Sequence, residues 1–92
     1  MHREHAEVLA LRVLTYLAED GDALTAFLRL SGMTPETLSQ TAGEPATLAS
    51  ILDFILQDEK RLMHFCSIHG ISPALPRQAR TAFPDSEYIT HG

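Results

Sequence analysis

From about Glu4 to Glu19 apolar residues recur with the period of a helix. Leu9, Ala10, Leu11, Val13, Leu14, Tyr16, Leu17 and Ala18 cover roughly 220° of its circumference at about 100° per residue. Arg12, Thr15 and Glu19 make up the narrow polar strip that remains. The same pattern predicts a helix over about 45 to 57, with Leu48, Ala49, Ile51, Leu52, Phe54, Ile55 and Leu56 apolar and Ser50, Asp53 and Gln57 polar. A surface helix needs an apolar stripe little more than about 100° wide, so these two must be covered from several sides. They are expected to form the central pair of the molecule, with a two-fold homodimer sharing part of their surface. Tyr16 and Phe54 are the candidate interface anchors, because aromatic side chains often dominate contact energies.

Glycine, proline and capping residues divide the rest into short helices. Asp20 is placed to cap a helix over about 21 to 31, with Asp22 adding negative charge to its first turn. Gly32 ends that helix. Thr34-Pro35-Glu36 then starts a third, short helix that is expected to stop at Gly43. Glu44-Pro45 opens the fourth with a weaker cap than aspartate or serine would supply. Asp58 begins a fifth that Gly70 ends, and Ser72-Pro73 begins a sixth terminated by Pro84. The expected fold is all-α: a compact bundle of five or six short helices in one domain over 1–84, followed by a loose tail over 85–92.

Laid over itself with an offset of 38 residues, the chain matches. Val13-Leu14-Thr15-Tyr16-Leu17-Ala18-Glu19-Asp20 falls on Ile51-Leu52-Asp53-Phe54-Ile55-Leu56-Gln57-Asp58. Leu24 then falls on Leu62, Phe27 on Phe65, Leu30 on Ile68, Gly32 on Gly70 and Pro35 on Pro73. The start, core face and stop of one helix recur in order, which predicts two similar helix-turn-helix units.

Composition narrows the functional classes. With 92 residues and 45% apolar content there is room for one core only. No basic n-region precedes an apolar run, and no stretch approaches the roughly 18 apolar residues of a membrane span, so a cytoplasmic protein without a membrane partner is expected. Twelve acidic residues against seven basic ones give a net charge of −5, and the positives are scattered. Nucleic-acid affinity rests on clustered lysine and arginine, so no nucleic-acid partner is expected.

Few residues suggest chemistry. The corner Glu19-Asp20-Gly21-Asp22 lacks the alternating oxygen ligands and closing glutamate of a calcium loop, and helix capping accounts for it. His2 and His5 lie three apart at a terminus with no third ligand near, and His64 and His69 lie five apart on divergent faces. Cys66 is expected as a small buried hydrophobe. No serine or cysteine has a placed base, and the glycines form no phosphate loop. Arg12 with Asp53, on matching strips of the two wide-faced helices, is the one intramolecular polar pair singled out. Neither catalytic residues, nor a metal, nor a cofactor is expected.

Several segments together resemble a known family. They are Leu17-Ala18-Glu19-Asp20, Gly32-Met33-Thr34-Pro35 with Leu38, Ala42-Gly43-Glu44-Pro45, and Leu52-Asp53-Phe54-Ile55-Leu56-Gln57-Asp58-Glu59. The ordered set, spanning Ala6 to Pro84, is similar to the short bacterial helical proteins of domain of unknown function 3572. Glu44 stands where similar sequences tend to show aspartate. The resemblance implies a small, soluble, bacterial cytoplasmic protein with no assigned activity, and it brings no catalytic or cofactor residue to any position. Two functional readings follow. One is a non-catalytic protein–protein interaction or adaptor module, self-associating through its apolar excess. The other is a helix-turn-helix DNA-binding or regulatory protein, which the net charge disfavours. Its recognition helix would be the third, which has no basic residue, or the sixth, which has only Arg77 and Arg80.

Overall fold

A computed structural model of the chain describes residues 1–83. It contains α1 (Arg3–Glu19), α2 (Gly21–Ser31), α3 (Pro35–Thr41), α4 (Pro45–Leu56), α5 (Glu59–His69) and α6 (Ala74–Thr81), and no strand among the described residues. The expected tail over 85–92 and the expected stop at Pro84 lie outside them.

Each boundary has a local cause. The Asp20 carboxylate accepts from the backbone N–H groups of Asp22 and Ala23 at 3.1 and 3.4 Å, and the Asp58 carboxylate accepts from Arg61 N–H at 3.2 Å. These bonds satisfy first-turn donors that have no partner within the helix. The Thr34 hydroxyl does the same for Thr37 N–H at 3.1 Å, with Pro35 at the first helical position. Glu44 makes no side-chain cap bond. Gly32 and Gly70 adopt φ of +76° and +65°, a left-handed conformation that costs an L side chain about 1–2 kcal/mol. Two stops differ from expectation. α3 ends at Thr41, with Ala42 as its C-cap, rather than at Gly43; the Thr41 hydroxyl donates to Thr37 O and accepts from Thr47 at 2.9 Å, tying this end of α3 to α4. α4 ends one residue early at Leu56.

The core is built where α1, α4 and α6 meet, with α2 against α1 and α4, and α5 against α4. α1 and α4 are thus the central pair. α4 buries Thr47, Leu48, Ala49, Ile51, Leu52, Phe54 and Ile55, so its wide apolar face is closed within one chain. Tyr16 and Phe54 are not exposed anchors: they are only 9% and 6% exposed. Each ring lies edge-on to another core aromatic, Tyr16 to Phe65 and Phe54 to Phe27. The reason is that α2 and α5 cover these rings: α2 brings Phe27 to Phe54, and α5 brings Phe65 and His64 to Tyr16.

The 38-residue offset describes local structure only. α2 and α5 are both eleven residues long, both follow an aspartate near φ −115°, ψ 100°, and both end at a left-handed glycine. Their surroundings differ: α6 contacts both central helices extensively, and its counterpart α3 does not. Leu30 and Ile68, matched as core positions, are 70% and 59% exposed. Replacing Asp20 or Asp58 by alanine is expected to cost about 0.5–2 kcal/mol each, because first-turn amides lose their acceptor. Thermal unfolding of the two variants beside the parent checks this; unchanged midpoints would show that the carboxylates do not support the helices.

Candidate interaction surface

The wide apolar arc of α1 divides in two. Ala6, Leu9, Ala10, Val13, Tyr16 and Leu17 face the core. Val8 and Leu11 point outward, 56% and 42% exposed, with Thr15 and Ala18 also exposed along the same side. Beside this strip lies a groove of about 350 Å³ between three helices, lined by Leu14 and Ala18 of α1, Leu24 and Leu28 of α2, and Pro35, Leu38, Ser39 and Ala42. Ser39 is its one side chain with a polar group. The groove exists because α3 is a seven-residue helix that covers only part of the α1–α2 face, and because Ala18 and Ala42 are too small to fill the space.

A second cleft, of about 280 Å³, runs between α2 and α4 past Leu30, Met33, Ser50, Asp53 and Gln57. It contains the polar strip of α4, most of whose groups are already engaged. Ser50 donates to Ala46 O at 3.0 Å. Asp53 accepts from Arg80 Nε at 2.7 Å, and Arg80 Nη1 donates to Phe83 O at 3.1 Å. The expected Arg12–Asp53 pair therefore does not form. α6 delivers Arg80 to Asp53, while Arg12 sits exposed on the far side of α1, beside Met1, His5, Val8, Ile71 and Leu75.

Several titratable groups are engaged within the fold. The Tyr16 hydroxyl and His64 Nδ1 share a hydrogen bond of 2.6 Å that ties α1 to α5, a contact the sequence did not signal. His69 stacks on Phe65 with ring centroids 4.4 Å apart, and His2 accepts from Glu4 N–H at the start of α1. Cys66 is 3% exposed, and burial pushes its thiol above the ordinary range, so it is protonated at neutral pH. Among the described residues no three histidine, cysteine, aspartate or glutamate side chains gather as a metal site. Every buried side-chain nitrogen and oxygen there has a partner.

Burial also raises the Tyr16 pKa above the ordinary value of 10.0; the nearby Arg61 pulls it down, while Asp20 and Asp58 add to the rise. The folded state thus keeps a proton that the unfolded state releases. Its contribution to stability is fully present below pH 10 and is lost as the pH rises through the folded-state value. The parent is expected to lose stability on this limb faster than Tyr16→Phe. Urea unfolding at a series of alkaline pH values checks it; identical pH slopes would place Tyr16 in water.

No helix among the described residues is long and apolar enough to cross a membrane. The described residues thus form an all-α fold of six helices that carries an exposed apolar strip and an adjoining apolar groove on α1. The chain belongs to a family described as protein of unknown function (DUF3572), whose model matches residues 3–86. No match exists among the curated proteins or among the solved structures.

Proposed function

We propose that this protein is a small non-catalytic protein–protein interaction module whose contact surface is the outer face of α1 together with the adjoining groove. One observation carries the reading. Val8 and Leu11 stand exposed on the helix that also walls an apolar groove, whereas the equally wide apolar face of α4 is closed by its own chain. An apolar groove between helices accepts the anchor side chains of a partner helix, and the gain comes from removing that surface from water. The polar clusters support the same reading, because Asp53, Arg80, Tyr16 and His64 all bond within the fold. A photo-crosslinking amino acid at Thr15, with a second variant at Gln78 on α6 as control, tests it in native cells. The expected result is a discrete crosslinked protein from position 15 and none from position 78. Equal labelling from both positions, or none from either, would remove the case for this face.

A further inference from the structure

We infer that the partner of the α1 face is a second copy of this chain, docked antiparallel about a two-fold axis so that Val8 meets Ala18 and Leu11 meets Thr15. This rests on the reading of that face as the contact surface. Met1, Glu4, Val8, Leu11, Thr15 and Ala18 follow one another at intervals of three and four residues. That is the a and d spacing of a helix that pairs with another helix. All six are exposed, and the five from Glu4 onward lie on the side of α1 turned away from its buried residues.

The seam is graded in size: Val8 and Leu11 are large, whereas Thr15 and Ala18 are small. Parallel pairing would set large on large at one end and leave a gap between alanines at the other. Antiparallel pairing sets each large residue over a small one, and the same two contacts recur on both sides of the axis, as a two-fold interface requires. Charge favours the same direction. His5, Arg12 and Glu19 flank the seam on one edge, at seven-residue intervals. Antiparallel docking places each Glu19 between His5 and Arg12 of the other copy, whereas parallel docking puts these edges on opposite sides of the seam and sets Glu19 beside the uncharged Leu14. Ala18 also lines the groove, so the seam runs into it without a break. A single helix face of 17 residues is about 26 Å long and falls at the small end of specific interfaces, so the dimer is weak and reversible.

Sedimentation equilibrium of the full chain at concentrations up to about 1 mM tests the pairing, with Val8→Lys, Ala18→Glu and the double variant beside the parent. These positions are exposed, and circular dichroism confirms that each variant is folded. The parent is expected to dimerise, and each single variant to bind at least about tenfold more weakly, because it brings an unpaired charge into the contact. The double variant is expected to recover most of the parent affinity, since the introduced lysine of each copy then meets the introduced glutamate of the other. In a parallel pair like charges would meet, and the double variant would be the weakest of the four; that result overturns the geometry. A parent that stays monomeric while position 15 crosslinks to a different protein overturns self-pairing and leaves the interaction module standing. A monomer with no crosslink overturns both.

Discussion

Phe65→Ala is expected to destabilise the fold by about 3–5 kcal/mol, the range for truncating a buried aromatic side chain. Phe65 is 0% exposed. Its ring meets Tyr16 edge-on at 5.4 Å between centroids and stacks against His69 at 4.4 Å, so the substitution opens a cavity at the junction of α1 and α5. Both neighbours are held from outside the cavity, Tyr16 by His64 and His69 by its place in the last turn of α5, which limits how far the walls can collapse. A domain of this size has a total stability of roughly 5–15 kcal/mol, and about 1 kcal/mol shifts its midpoint by about 4–8 °C. The variant is therefore expected to melt at least about 12 °C below the parent, or to show no folded baseline at all. Circular dichroism melts of Phe65→Ala and Phe65→Leu check this, the leucine variant recovering much of the loss. A shift of only a few degrees for alanine would mean that the α1–α5 junction is loosely packed.

What the sequence revealed and what it withheld separate along one physical line, the distance between partners along the chain. The caps at Asp20, Thr34 and Asp58 and the left-handed stops at Gly32 and Gly70 are legible because each involves residues within a few positions of one another. The wide faces of α1 and α4 are legible for the same reason, and they identify the central pair. Asp53–Arg80 and Tyr16–His64 join residues 27 and 48 apart, and they depend on which way α5 and α6 cross the central helices. Periodicity carries no such information. Tyr16 and Phe54 are buried instead of exposed for the same reason, because the rings that meet them, Phe65 on α5 and Phe27 on α2, are invisible until those helices' crossings are known.

The outer face of α1 is a different case. Leu11 and Ala18 were counted with Leu9, Val13 and Leu17 as one apolar arc, although that arc is wider than one contact can cover. Dividing it by position around the helix separates a core-facing stripe from an outward seam that includes Val8, Leu11, Thr15 and Ala18. The signal was present at three- and four-residue spacing. What was missing was the edge between the two stripes, which is fixed by the neighbours that α1 acquires in the fold: α2, α4 and α6.

Arg80→Ala is expected to cost about 1–2 kcal/mol, the second largest effect, while Arg12→Ala stays within about 0.5 kcal/mol of the parent. The Arg80 side chain is 14% exposed and that of Asp53 is 45% exposed, so water screens one end of the pair and holds its value below that of a fully buried charged bond. Two features keep it above that of a surface pair. Arg80 Nε and Nη1 reach Asp53 and the Phe83 carbonyl from one rigid guanidinium, and most of its side chain is removed from water. Lysine cannot reproduce two directed bonds from one planar group, so Arg80→Lys is expected to recover only part of the loss. Because these bonds are short and partly sheltered, the difference between parent and Arg80→Ala should persist in about 1 M salt, where the screening length falls to about 3 Å. Urea unfolding midpoints at low and high salt measure all three variants. Equal losses from Arg12→Ala and Arg80→Ala would restore the pairing that the sequence suggested and move α6 away from Asp53; a loss for Arg80→Ala alone fixes α6 across the central helices.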